Sequence, residues 1–161
     1  MSCRYKHDVY DRFWTPSNLK DTQLLSTTLT IDTKGSNDFH PPSIAMATAA
    51  SSINTTDDLD FNWKPDDPTT LHYVYLHFTE LQVLAPNQTR EFNISANGKL
   101  LYGPVELAYL YTGTVYSTTP LSGEIIEFSL YRTERSTLPP ILSAIEAVSY
   151  THLTLPTNRE V

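Results

Sequence analysis

An antiparallel β-sandwich is the fold class this sequence predicts, and three observations predict it. Thr, Ser, Tyr and Phe are plentiful and strong helix formers are sparse, a composition that fits half-buried pleated surfaces better than helices. Apolar and polar residues alternate over short runs, and no 3.6-residue stripe lasts beyond about two turns. Pro-bearing turns interrupt the chain at intervals of roughly ten residues, the spacing of short strands in a sandwich. Alternating strand–helix units are missing from the pattern, which disfavours a parallel α/β sheet.

The strands follow in order. Leu24 to Ile31 alternates in part, and Ser43 to Ala49 sets Ile44 and Met46 against Ala45, Ala47 and Ala49. Leu59, Phe61 and Trp63 share one side of residues 59–63. The clearest strand is Leu71 to Leu81, with Val74, Leu76, Phe78 and Glu80 on one face and Tyr73, Tyr75, His77 and Thr79 on the other. Both faces are substantial, so a central position is predicted. Arg90 to Ala96 is half-exposed, and Asn97-Gly98 supplies the positive φ of a tight turn. Leu100 to Leu110, Val115 to Thr118, Ile125 to Tyr131 and Ile141 to Val148 complete the set. Pro65-Asp66-Asp67-Pro68, Ala85-Pro86-Asn87, Thr119 to Gly123 and Leu138-Pro139-Pro140 are the turns between them,.

A length of 161 residues gives a prior of one domain,. The formal net charge of −7 repels a phosphate backbone, so nucleic acid is excluded as a general partner,. No apolar run is long enough to span a bilayer, so no membrane insertion by this segment is expected. Cys3 is the single cysteine, which rules out an internal disulfide and a Cys-based zinc site,. Met1 to Asp8 lacks the apolar stretch of a secretory leader. Either the protein is cytosolic or the chain begins inside a longer product. At the other end, Val148 to Thr157 reads like a translated sequencing adapter, against the plainer reading of a frayed β-rich tail. Residues 149–161 are accordingly set apart as a non-native tail.

Catalytic signals are poor. His7, His40, His72, His77 and His152 show no metal-ligand spacing, and no H-E-x-x-H or G-x-S-x-G occurs,. Asp57, Asp58, Asp60, Asp66 and Asp67 lack EF-hand spacing and read as solvated turns. They do not supply the two carboxylates that a glycosidase places across a cleft. No cofactor and no metal is implied. Glu80 falls on the apolar face of its strand, and a buried carboxylate needs a partner. Arg90 or backbone N–H groups are expected to hold it, making Glu80 and Arg90 a structural pair. Aromatic faces and amides are the chemistry of sugar binding. Among the tyrosines, Tyr109 and Tyr111 lie beside a supposed Thr112-Gly113-Thr114 turn, where they would be exposed for a ligand. Three N-x-[ST] triplets make Asn54, Asn87 and Asn93 glycosylation candidates, with Asn87 the best placed,.

Four segments also carry a resemblance. They are Asp8 to Pro16, Tyr73 to Leu81, Asn87 to Ile94 with Asn97-Gly98, and Ser136 to Glu146. Together, over residues 4–148, they resemble the malectin-like ectodomain of plant leucine-rich-repeat receptor-like kinases, in particular its second, C-terminal malectin unit. The resemblance implies a jelly-roll β-sandwich related to carbohydrate-binding modules. It implies a non-catalytic module on the extracellular face of the plasma membrane, cut from a single-pass protein with a kinase domain. Its implied partners are a cell-wall glycan, a secreted peptide or a co-receptor ectodomain; the rival reading is a spacer unit with no ligand of its own. The family's frequent Trp is replaced near Thr22 or Gln23, and its common Ala by Thr79.

Overall fold

The computed structural model describes residues 3–150, apart from residues 5, 7, 9, 11, 16 and 35–37. His7, His152, the Cys3 side chain and the tail from residue 151 lie outside the described residues.

The chain folds as the antiparallel β-sandwich expected, and every pairing between its named strands is antiparallel. One layer is a four-stranded sheet, in the order β5 (Leu59–Trp63), β10 (Ile126–Arg132), β7 (Glu91–Ala96), β8 (Lys99–Glu106). Facing it is the sheet of β12 (Ala144–Tyr150), β6 (Leu71–Thr79) and β9 (Thr112–Tyr116). A third sheet of β11 (Ile141–Leu142), β4 (Thr48–Ser52) and β3 (Thr22–Ser26) continues from it. The continuity comes from Ser143, whose N–H donates to the His77 carbonyl at 2.9 Å as the chain passes from β11 to β12. A short pair, β1 (Cys3–Arg4) with β2 (Phe13–Trp14), closes the N-terminal segment.

The main core lies between the facing sheets. Val74, Leu76 and Phe78 of β6 meet Phe92 and Ile94 of β7 and Phe128 and Leu130 of β10. Phe78 and Phe92 have ring centroids 5.4 Å apart, and Phe61 stacks on Phe128 at 5.1 Å. A smaller cluster of Ile31, Met46, Ala49, Leu81 and Ile141 sits under the third sheet. Burying such side chains contributes on the order of 1.5–3 kcal/mol each, before conformational entropy is charged against them.

Strand β6 is central, as its two-faced pattern predicts, with β12 on one edge and β9 on the other. Several element boundaries differ from the sequence reading. Residues 43–46 form one helical turn, α1 (Ser43–Met46), not the start of a strand. Pro42 precedes it with φ −64°, and its carbonyl accepts N–H bonds from Ala45 and Met46 at 2.9 and 3.3 Å. Pro tolerates that position because it has no N–H to lose there. The strand read from Leu24 to Ile31 ends at Ser26. The strand read through Leu110 ends at Glu106, and the supposed Thr112-Gly113-Thr114 turn is the start of β9. Thr112, Gly113 and Thr114 pair with Thr79, Phe78 and His77. β-Branched Thr and Val fit that ladder, and the glycine there is extended rather than turning.

Candidate functional site

Tyr109 and Tyr111 are carried by the connection between β8 and β9. That connection is stapled to the sandwich by its backbone. The Leu110 N–H donates to the Glu80 carbonyl at 2.9 Å, and the Leu110 carbonyl accepts the Asp32 N–H at 2.9 Å. The Asp32 carbonyl in turn accepts the Thr112 N–H at 2.9 Å. Leu110 adopts φ +55°, a left-handed conformation that a non-glycine residue holds only when its surroundings fix it,. Tyr109 is thereby presented with 44% of its surface exposed, and Tyr111 is half-buried.

Glu80 and Arg90 meet in the core at the end of β6. The Arg90 Nε donates to Glu80 Oε2 at 2.7 Å, and its Nη2 donates to Gln82 Oε1 at 2.7 Å. Its Nη1 donates to the Pro139 carbonyl. The other carboxylate oxygen of Glu80 accepts the Gln82 N–H at 3.0 Å. These donors and acceptors tie the strand end, the following loop and the Pro139-Pro140 turn together, and the side chains of Glu80 and Arg90 are almost wholly buried, while Gln82 is exposed.

The sequence alternation does not reveal a second polar network, on the outer face of β9–β6–β12. His77 is fully buried, with Nδ1 2.7 Å from Thr114 Oγ1 and Nε2 2.8 Å from Glu146 Oε1. Arg12 closes the network from above. Its Nη1 donates to Glu146 Oε1 at 2.5 Å, and its Nε donates to Asp8 at 2.9–3.0 Å. Arg12 also donates to the carbonyls of Phe39 and His40. The Trp14 indole N–H donates to Asp8 Oδ2 at 2.8 Å. Burial pushes the Asp8 carboxyl up, but the Arg12, Trp14 and Tyr10 hydrogen bonds and the Arg12 charge outweigh it, and the pKa falls below its ordinary 3.8,. Phe39 packs beside Tyr75 and Tyr116, with ring centroids 4.8 and 5.6 Å away. This face is therefore occupied by the protein's own N-terminal segment and Phe39.

The outer face of the four-stranded sheet has a depression of about 390 Å³, lined by Asp60, Asn62, Ser95, Gly98, Glu127 and Ser129 among others. Apart from Gly98 in the tight turn, these residues lie on the polar sides of three predicted strands, yet only the strand order brings them together. A narrower cleft of about 280 Å³ opens at the β5–β12 edge, between Leu19, Trp63 and Ile145.

Of the three sequons, Asn54 and Asn87 are exposed in turns. Asn54 Nδ2 donates to Asp57 Oδ2 at 2.8 Å. Asn93 is half-buried in β7, between β10 and β8. A Cβ added at Gly103 would lie 2.1 Å from Asn93 Oδ1 and 2.9 Å from its Cα. Among the described residues no group of three or more His, Cys, Asp or Glu side chains could hold a metal ion, and no helix is long and apolar enough to cross a membrane.

The described residues thus form an antiparallel sandwich with tyrosines on one connection and an open polar sheet face. Residues 1–150 match the family model of the malectin-like domain, and the chain belongs to that family. It is 42% identical over 147 residues to a leucine-rich repeat receptor-like protein kinase of Arabidopsis thaliana, covering 91% of this chain and 17% of that protein. It is 40% identical over 150 residues to the Arabidopsis LRR receptor-like serine/threonine-protein kinase IOS1, covering 91% and 16%. Among solved structures it resembles the ANX2 ectodomain from Arabidopsis thaliana, with a TM-score of 0.67, 20% identity, and 89% and 45% of the two chains covered. It also resembles a chain in the complex of the plant peptide RALF23 with FER and LLG2, with a TM-score of 0.72, 14% identity, and 94% and 47% covered. The chain thus spans less than a fifth of these kinase relatives and less than half of these solved chains.

Proposed function

We propose that this chain is an extracellular ligand-recognition unit of a plant receptor-like kinase at the plasma membrane, gripping a cell-wall carbohydrate or a secreted peptide without transforming it. The observation that carries the reading is the match to receptor-like kinases over nine-tenths of the chain, through the malectin-like region alone. A peptide and LLG2 accompany FER in one similar structure, which favours peptide and co-receptor partners as one option. The rigidly held Tyr109 and Tyr111 connection is the loop surface proposed for contact.

The test applies the chain to an array of cell-wall oligosaccharides and, in parallel, to immobilised secreted peptides. Retention by either class supports recognition, and loss of it in Tyr109→Ala or Tyr111→Ala places the contact on the connection. Retention by neither supports the spacer reading. One observation favours that alternative: Ile145, on the core-facing side of β12, stays 38% exposed in the cleft at the sandwich edge, an apolar seam suited to a neighbouring unit.

A further inference from the structure

The sheet edges are guarded unequally. An exposed strand edge offers unpaired N–H and C=O groups, and proteins blunt such edges with Pro, Lys or a bulge. The β8 edge has two register shifts and carries Lys99 and Pro104. The β12 edge has none of these. Ala144 to Tyr150 contains no Pro, Gly, Lys or Arg, and all seven residues pair with β6 in succession without a shift. The ladder fixes which groups are left over. The Val74 carbonyl accepts the Ser117 N–H, and His72 exchanges both backbone bonds with Leu121, so the even residues of β6 turn their backbone groups toward β9. Tyr73, Tyr75 and His77 therefore turn theirs toward β12, where Val148, Glu146 and Ala144 meet them,. Ile145, Ala147 and Ser149 are left with N–H and C=O groups pointing off the edge. All three residues are exposed, and none of those groups bonds to another described residue.

The same edge runs along the mouth of the apolar cleft of about 280 Å³. Ile145 and Ala147 line it from β12, Trp63 from β5 and Leu19 from the N-terminal segment, and no charged side chain among the described residues does so. Residues directly opposite one another in a sheet share a face. A strand laid beside β12 would bond to the free groups of Ile145, Ala147 and Ser149, and its residue opposite Ala147 would turn its side chain into the cleft. Main-chain bonds then supply affinity and the cleft selects the side chain, the mode by which peptides add to sheet edges. The cleft is smaller than the about 300–1,000 Å³ usual for small-ligand pockets, which suits side chains of an extended segment better than a complete small molecule. We propose that the β12 edge binds a partner peptide as an added strand, with an apolar side chain of that peptide seated between Trp63 and Ala147. The proposal rests on the recognition reading above and deepens it by selecting the peptide class and its mode of docking.

A display library of random dodecapeptides is selected on the immobilised chain, and the enriched peptides are synthesised and titrated. Amide hydrogen exchange followed in ¹⁵N spectra, with and without peptide, locates the contact independently of any variant. The expected result is enrichment of peptides with apolar residues at alternate positions. Their binding should slow exchange at Ile145, Ala147 and Ser149, which exchange fast in the free chain, while Glu146 and Val148 are protected in both states. Ala147→Pro removes an N–H that the β6 ladder does not use. It should keep the fold and bind the enriched peptides about tenfold more weakly, the upper value for one lost main-chain hydrogen bond. Ala147→Lys, which places a charge in the cleft, should weaken binding at least as much while leaving the backbone groups in place. Failure to enrich any peptide overturns the proposal, as does protection that falls on residues 107–111. If peptide binds at that connection, or the chain binds an oligosaccharide instead, the recognition reading stands while the edge site falls. If it binds neither class, both fall. If raising the concentration of the free chain alone protects Ile145, Ala147 and Ser149 and sedimentation shows a dimer, the edge is a contact between copies and the proposal falls.

Discussion

Arg90 reaches back across the end of β6 to place its Nε 2.7 Å from Glu80 Oε2, with both side chains almost wholly out of water. Desolvating two charges costs more than their attraction returns unless further hydrogen bonds complete the set. Here Gln82 and the Pro139 carbonyl complete it. Removing one partner leaves the other charge buried and uncompensated. Arg90→Met is expected to lower unfolding free energy by about 3–5 kcal/mol. Adding Glu80→Gln to that variant should recover part of the loss, since the double variant buries no net charge. Urea denaturation of the singles and the double checks this; strictly additive losses would show that the pair is not coupled.

The β-sandwich is legible in the sequence because period-two alternation reports burial directly, and Val74, Leu76, Phe78 and Glu80 do face the core. Boundaries set by backbone partners are not legible. Nothing local in Thr112-Gly113-Thr114 reveals that β6 supplies a ladder for it. The Asp8–Arg12–Glu146–His77 network joins residues up to 134 positions apart, and only the tertiary fold brings them within reach. The sheet-face depression is half legible: alternation assigns Asp60, Asn62, Ser95, Glu127 and Ser129 to outer faces, but the order β5–β10–β7 is what makes them neighbours.

The Asp8 lock carries an acid dependence with a definite sign. Its folded pKa is lowered, so its contribution is fully present above the ordinary carboxylate value near 3.8,. It is lost as pH falls below 3.8 through the depressed folded value. Asp58 works in the opposite sense: burial and the nearby Asp60 and Asp57 charges raise its pKa. Its charged form therefore opposes folding at neutral pH, and that penalty is relieved as pH falls through its raised folded value. Asp8→Asn should lower the melting temperature at pH 7, and the difference from wild type should shrink as pH falls below 3.8,. Asp58→Asn should raise it slightly at pH 7. Thermal melts from pH 2 to 7, followed by circular dichroism, check both.

Exposure separates the three sequons. Asn87 and Asn54 are open to an enzyme in their turns, whereas Asn93 is half-buried in a strand paired on both edges, with its carboxamide against Gly103. On secretion from a plant or insect cell, Asn87 and Asn54 should carry glycan at higher occupancy than Asn93. Peptide mass spectrometry after enzymatic deglycosylation in heavy-oxygen water reads each site separately. Asn93 occupancy equal to Asn87 would mean that the sequon is modified before β7 pairs. Gly103→Ala sharpens the point from the other side. Its Cβ would collide with the Asn93 backbone, so β7 or β8 must shift, at a cost of about 1–3 kcal/mol in stability,.

Thr79 and Thr112 face each other across β6 and β9 with their hydroxyl oxygens 2.9 Å apart, and both residues are buried. Each hydroxyl satisfies the other, so the pair is nearly neutral for stability while either half alone is a liability. Thr→Val keeps the branched shape and removes only the polar atom. Thr79→Val should therefore leave the Thr112 hydroxyl without its Thr79 partner and cost about 1–3 kcal/mol, and Thr112→Val should cost a similar amount. The double variant Thr79→Val/Thr112→Val should return to within about 1 kcal/mol of the parent, because two apolar methyls replace two mutually bonded hydroxyls. Equilibrium urea unfolding of the four proteins closes the cycle. A double variant as unstable as the sum of the singles would show that each hydroxyl is held by something other than its partner across the ladder.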